Sequence, residues 1–296
     1  MYFWRGYYFG KEGIWCRDFN KEEAFCVLKD SLYKDYMVRA IADNGKTIAV
    51  SRNIGTNEPL LMVDVDKKTI KNTISNHTFI YPCLDREGNK VFSVTKSDIY
   101  KNIYGNPFCV DAETGKVIAT LDEKTQWGNT AYHPESNSVY FSAFKQPNLY
   151  KFNFDTLAFS AIPTDKKIRI FDCKVACDNK GYYYLGSNIL VYMNNEDEEV
   201  WRINFKEKEK LSGKTLFSIC LSDNPDYIAV YLLDGNWLFI VNRNDFSYKK
   251  YKLGRVGFSE FFNNSLLFIY KNDNFSTLNL ETLEEKPYLP TTGAIL

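Results

Sequence analysis

The sequence predicts an all-β protein, a seven-bladed β-propeller closed by pairing of N- and C-terminal strands, with residues 1–296 as a single propeller domain. Three observations predict it. A pattern of two successive β-hairpins recurs along the chain. Its copies follow one another at about 40–45 residues, the period of a four-stranded propeller blade. The runs between turns are rich in Val, Ile, Tyr and Phe, which suit a half-buried pleated surface.

The first hairpin of each copy is an apolar run, a turn of Asp, Asn, Gly or Pro, and a second apolar run. It appears as VRAIADNGKTIAVS from Val38, IYPCLDREGNKVFSV from Ile80 and NTAYHPESNSVYFSA from Asn129. It returns as CKVACDNKGYYYLGS from Cys173, FSICLSDNPDYIAVY from Phe217 and VGFSEFFNNSLLFIY from Val256. The second hairpin is marked by an Asp or Asn that ends an apolar run. Asp18, Asp64, Asp111, Asn153, Asn195, Asn242 and Asn279 anchor the seven copies.

The two ends fit ring closure. The first copy has a second strand, Tyr2–Phe9, and a second hairpin, with no strand before them. The last copy is followed by a strand-like segment, and pairing of Ala294–Leu296 beside Tyr2–Phe9 completes the seventh blade. Closure removes the open edges that an array would expose. The charge runs Glu196–Glu199 and Lys206–Lys210 are too short to bury an amphipathic face and are read as turns or solvated loops.

Composition narrows the function classes. Apolar residues are 45% and charged residues 25%, a globular balance. Thirty-seven basic residues offset 37 acidic ones, so no general attraction to nucleic acid or anionic membrane is expected. No apolar run reaches the length of a transmembrane helix, and the aromatic N-terminus lacks the pattern of a secretory signal. Seven scattered cysteines fit reduced, buried thiols in the cytoplasm. Cys173 and Cys177 have CxxxC spacing with no second pair to complete a metal site, and are read as small core residues.

The copies resemble the WD-repeat-like propellers, and within them the quinoprotein amine dehydrogenase-like group. VDAETGKVIATL at Val110–Leu121 carries the likeness, with LNLETLEE at Leu278–Glu285 and FNFDTLAF at Phe152–Phe159 as weaker echoes. The chain has no Trp-Asp and no Gly-His dipeptide, so it departs from the usual WD-repeat pattern. The resemblance implies a propeller fold. It also implies a choice between a binding platform and an enzyme, which fold alone does not make.

Binding is expected on loops, which a rigid ring positions while their sequence varies. Thr95–Pro107 offers Lys96, Tyr100 and Tyr104, the residue types that anchor protein interfaces. Leu121–Asn129 carries Trp127, which either stacks on a ligand or fills the space between two blades. Arg52 and Lys145 occupy equivalent loops after second strands, with Asp234 and Asp273 in later copies, so one face would be polarised. Pro163–Arg169 and Phe205–Lys214 are basic-leaning loops; the alternating Lys and Glu of the second read most simply as solvated surface, with contact to a phosphate or an acidic partner as the alternative for the basic cluster.

Catalytic patterns are weak. The two histidines differ in setting: His133 precedes Pro134 in a turn read as solvent-exposed, and His77 lies in a link between blades. Neither accompanies a nucleophile motif. The strands expected to line the channel supply one carboxylate, Glu260, where a glycosidase needs two. Arg39 and Lys174 are their unusual charges. The turn acids match no calcium loop and are what tight turns require sterically. The expectation is a cytoplasmic, non-enzymatic scaffold, free or as a subunit of a larger complex. It binds a protein partner through Arg52, Lys96, Tyr100, Tyr104, Trp127 and Lys145, with no cofactor and no metal. The alternative is a propeller that binds or hydrolyses a sugar or lactone at the channel mouth.

Overall fold

The second strands of the sheets, such as Thr47–Ser51, Ser138–Ala143 and Gly181–Gly186, are buried on both faces, and that property sets the architecture. The computed structural model describes residues 2–8, 11–17, 24–29, 36–52, 58–94, 105–123, 125, 127–143, 146–209, 218–232, 237–253, 256–261, 266–271 and 274–287. They form antiparallel sheets whose strands pair in sequence order. The first sheet holds β1 (Tyr2–Tyr8), β2 (Lys11–Arg17) and β3 (Ala24–Leu28). The second holds β4 (Met37–Ile41), β5 (Thr47–Ser51), β6 (Leu60–Asp64) and β7 (Thr69–Ile74). The third holds β8 (Ile80–Leu84), β9 (Lys90–Val94), β10 (Pro107–Asp111) and β11 (Val117–Thr120). The fourth holds β12 (Trp127–His133), β13 (Ser138–Ala143), β14 (Leu149–Asn153) and β15 (Ala158–Ile162). The fifth holds β16 (Ile170–Val175), β17 (Gly181–Gly186), β18 (Ile189–Asn194) and β19 (Glu199–Asn204). The sixth holds β20 (Ser218–Asp223), β21 (Tyr227–Leu232), β22 (Trp237–Asn242) and β23 (Tyr248–Lys252). The seventh holds β24 (Val256–Phe261), β25 (Leu266–Lys271), β26 (Asn274–Asn279) and β27 (Glu285–Pro287).

Side chains alternate across a strand, so a fully buried strand must meet a neighbour on each side. β13 shows this directly. Its Val139 and Phe141 pack with Phe92 and Cys109 of the third sheet. Its Tyr140 turns the other way and stacks on Tyr182 of the fifth, with ring centroids 4.0 Å apart. β17 repeats the division: Tyr182 and Tyr184 face the fourth sheet, while Tyr183 and Leu185 face the sixth. In β21, Ile228 and Val230 meet the fifth sheet, and Ala229 and Tyr231 meet the seventh. The first strands β4, β8, β12, β16, β20 and β24 consequently lie side by side in series.

The first sheet occupies the second, third and fourth strand positions of this scheme. β1 lies against β4 as β13 lies against β16. Ile14 of β2 and Val27 and Leu28 of β3 pack on Ile48, Val50, Leu61 and Val63. The segment expected to fill its first position, Ala294–Leu296, lies outside the described residues.

A recurring Asx turn closes the second hairpin. Asp64, Asp111, Asn153, Asn194, Asn242 and Asn279 end the third strands of the second to seventh sheets. Their Oδ1 atoms accept backbone N–H bonds from Lys67, Thr114, Thr156, Glu198, Asn244 and Thr282 at 2.7–2.9 Å. These bonds hold the Asp64 and Asp111 carboxyls below the usual carboxylate range. The residue four positions after each anchor, or three after Asn194, has positive φ: Lys68, Gly115, Leu157, Asp197, Phe246 and Leu283. The fifth-sheet anchor is therefore Asn194, not Asn195 as the sequence spacing suggested. Asp18 lies outside the described residues.

The tips of the first hairpins form a second set of ties between sheets. Asn44 Nδ2 donates to Glu87 Oε2 at 3.1 Å, and Arg86 Nη2 donates to Pro134 O at 3.0 Å. Arg243, in the second-hairpin turn of the sixth sheet, adds a tie through Nη2 to Asp178 Oδ2 at 2.9 Å in the fifth, while its Nη1 donates within its own sheet to Asn224 O at 3.1 Å. The acids of these turns are used by backbone, as Asp85 Oδ1 accepts the N–H groups of Asn89 and Lys90. One expected loop is instead a short helix, α1 (Phe205–Glu209). Phe205 anchors it, fully buried against Phe239 and Tyr248. Asn204 Oδ1 accepts from Glu207 N, and Glu209 pairs with Lys250 at 2.7 Å.

Gly88 shows how close the tips approach. Its φ is +72°, and a Cβ there would lie 2.5 Å from Thr47 Cβ of the second sheet. Gly88→Ala is expected to cost about 2–3 kcal/mol, from left-handed strain and overpacking together. The shift of the urea midpoint measures it, and an unchanged midpoint would contradict the packing described.

Candidate functional site

Each first strand loses register with its neighbour close to its N-terminal end. The shifts fall at Val38/Ala40, Ile80/Cys83, Trp127/Thr130, Ile170/Asp172, Ser218/Cys220 and Val256/Phe258. Bulges of this kind bend a strand and re-aim side chains, and they favour rims and active sites. Local sequence accounts for two of them. Pro82 has no N–H to give the ladder. Gly128 sits where a Cβ would strike Ser142 Oγ at 2.6 Å.

The bulges bring a polar cluster together across β8, β12 and β16. Asn129 Nδ2 donates to Asp172 Oδ1 at 2.9 Å. Thr130 Oγ1 donates to Tyr81 O at 2.8 Å and accepts from Cys83 Sγ at 3.1 Å. Cys173 Sγ donates to Asn129 O at 3.5 Å. Asp172 is only 8% exposed, and burial pushes its carboxyl up to about 6 against the opposing bonds from Asn129 and the Cys173 N–H. A carboxyl so placed can hold or release a proton near neutrality.

Beside this cluster lies a cationic and apolar patch at the start of β4 and β8. Arg39 Nε donates to Ser51 Oγ at 3.1 Å, and its Nη2 donates to Arg52 O at 2.6 Å. Partial burial lowers the pKa of Arg39. The Arg52 guanidinium stands 5.3 Å from the centre of the Tyr36 ring. Met37 and Tyr81 are each 42% exposed, and Tyr81 has φ +48°. A tyrosine in that region costs about 1–2 kcal/mol of backbone strain.

The expected site residues are distributed unevenly. Arg52 is exposed within this patch. Trp127 is 5% exposed: its Nε1 donates to Gly105 O at 2.7 Å and its ring packs on Phe141 and Tyr150. It fills space between sheets, which removes it as a ligand-stacking residue. Lys96, Tyr100, Tyr104 and Lys145 lie outside the described residues, as do Asp234 and Asp273. Glu260 lies on β24. Asp172, Asn129 and Tyr81 were not among the sequence candidates. The first strand of the fifth sheet begins at Ile170, three residues before the run read as a hairpin, and so includes Asp172. A lone Asp in the apolar run Ile170–Val175 was the available signal.

Two further readings are corrected. His133 is fully buried rather than exposed. Its Nδ1 accepts from Ser136 N, which leaves Nε2 to donate to Asn195 Oδ1 at 3.0 Å in the next sheet. Cys177 is exposed at a hairpin tip, with Arg243 Nη1 3.1 Å from its sulfur, whereas Cys173 is buried as expected. His77 Nε2 lies 2.9 Å from Gly115 O. Among the described residues, no three His, Cys, Asp or Glu side chains converge to hold a metal ion, and no helix is long and apolar enough to cross a membrane.

No protein-family model matches this chain. No curated protein matches it either.

Asp172 gives the site a pH signature. Its folded pKa near 6 lies above the ordinary aspartate value of about 3.9. The cost of ionising it in place is absent below about pH 4, grows through that window and is complete above about pH 6. Asp172→Asn is expected to raise stability by about 1–3 kcal/mol at pH 8 relative to its effect at pH 4. Urea unfolding at the two pH values checks this, and an equal effect at both would contradict it.

Proposed function

We propose that this chain is a closed seven-bladed β-propeller that acts in the cytoplasm as a non-enzymatic scaffold, binding a protein partner through loops on one face. The single observation that carries the reading is Tyr81. It is solvent-exposed and held at positive φ on β8, next to β4, which carries exposed Met37 and the Arg39 that bonds to Arg52. Backbone strain in an exposed aromatic residue is characteristic of functional positions. Tyr and Arg beside an exposed apolar side chain are the residues that dominate protein interfaces.

Closure is part of the proposal. Among the described residues no strand fills the first position of the first sheet, beside β1, and the proposal assigns it to Ala294–Leu296, which lie outside them. Seven sheets then form a ring without an internal edge. Lys96, Tyr100, Tyr104 and Lys145 follow the ends of β9 and β13 in sequence, as Arg52 follows β5. In a propeller they share a face with Arg52. The resemblance to WD-repeat-like propellers, commonly binding platforms, agrees with this.

A second reading has its own support. Asp172, hydrogen-bonded to Asn129 beside the same patch, suits recognition of a small polar ligand such as a sugar or lactone at the channel mouth. The two readings separate by mutation. In affinity capture from native extract, a partner bound by the wild type is expected to be lost at least about tenfold by Tyr81→Ala/Arg52→Ala, and retained by Asp172→Asn. Capture unchanged by the double variant would overturn the scaffold reading. Turnover of a sugar or lactone abolished by Asp172→Asn would establish the alternative.

A further inference from the structure

The outermost strands, whose outer edges are unpaired among the described residues, differ in how they guard those edges. A sheet edge offers unpaired backbone groups, and proteins blunt it with charge, proline or bulges. β7 carries Lys71, β19 carries Glu199 and Arg202, β23 carries three lysines, and β27 carries Lys286 and Pro287. β11, Val-Ile-Ala-Thr, carries no charge. Val117 is 47% exposed and Ile118 37%. Pairing with β10 shifts between Cys109 and Val110, a bulge that leaves Ile118 without an opposite residue, but β3, β7 and β19 carry the same shift, so lack of charge is what sets β11 apart from β7 and β19. Leu121 donates its N–H to Pro107 O at 3.0 Å, and Ala119 lies opposite Cys109. The backbone polar groups of Thr120, between them, therefore face the free edge.

We propose that β11 pairs antiparallel with β11 of a second copy of this chain, about a two-fold axis at Ala119. Residues 116–122 read Lys-Val-Ile-Ala-Thr-Leu-Asp, a self-complementary order. Antiparallel pairing about Ala119 sets Lys116 opposite Asp122 of the second copy, Val117 opposite Leu121 and Ile118 opposite Thr120. Opposite charges and apolar pairs facing each other across strands stabilise a sheet, and like charges destabilise it. A two-fold contact requires a surface complementary to itself, which this order supplies.

The other uncharged outer strands lack this combination. β15 is flanked by Asp155 and Asp165, and the same operation about Ser160 would set those acids opposite each other. In β3, Val27 and Leu28 are buried, and Lys68 Nζ lies over the Phe25 ring at 5.4 Å. Among the uncharged outer strands described, β11 joins an exposed apolar edge to opposite terminal charges. The edge is short, so the dimer is expected to be concentration-dependent, with Kd on the order of micromolar.

Sedimentation velocity across a concentration series tests the proposal on the full chain. The wild type is expected to shift from monomer to dimer. Ile118→Lys is expected to stay monomeric with an unchanged circular dichroism spectrum. Lys116→Asp and Asp122→Lys are each expected to weaken dimerisation at least about fivefold, and the double reversal to restore it. Ala119→Cys is expected to give a covalent dimer on mild oxidation, because opposed residues at a non-hydrogen-bonded position approach to about 4.5 Å between Cα atoms. A wild type monomeric throughout, which would leave the edge to a segment of some other chain, overturns the proposal. So does a dimer indifferent to Ile118→Lys.

Discussion

Every sheet in this protein depends on burial against its neighbours. Four antiparallel strands with apolar side chains on both faces are unstable in water alone. Stacked in series, each covers the other. The stack of Tyr140 on Tyr182, and the opposite directions taken by Tyr183 and Tyr184, show one strand serving two interfaces at once. Burying an aromatic side chain contributes about 1.5–3 kcal/mol, and the second strands hold such side chains in number. Hydrogen bonds within a sheet set register, while packing between sheets decides that the sheets exist.

The same arrangement explains where chemistry can reside. Along the first strands, sheets crowd together and register slips. Beside those slips Tyr81 is exposed, Arg39 is half-buried and Asp172 is buried beside Asn129. At the opposite ends of these strands, hairpin tips interlock through Arg86, Asn44 and Arg243, and their polar groups are committed to neighbouring sheets. The tips tie sheet to sheet, and the binding face proposed above lies at the other end, where Tyr81 is exposed.

Much of the fold was legible in the sequence because each hairpin carries its own turn chemistry. The Asp or Asn that ends each third strand performs a local task, capping backbone N–H groups within three or four residues. Local tasks leave local signatures. The one-residue error at the fifth sheet arose where two asparagines adjoin. Asn194 caps the turn, and Asn195 reaches across to His133. His133 was misjudged for the same reason: its turn looks exposed until the next sheet is packed onto it. Asp172 and Tyr81 were hidden because a bulge is a relation between two strands, invisible along one. The helix at Phe205–Glu209 was also hidden, since it forms around a phenylalanine anchored in the sixth sheet rather than on an amphipathic face of its own.

Mutual dependence of the sheets has a direct test in native-state hydrogen exchange of Phe92→Ala, which removes packing between the third and fourth sheets. If no sheet stands alone, protection in β5, β13 and β21 falls together, by about 3–5 kcal/mol. Protection lost in the third and fourth sheets, with β21 unchanged, would show that the sheets are independently stable and would contradict the account.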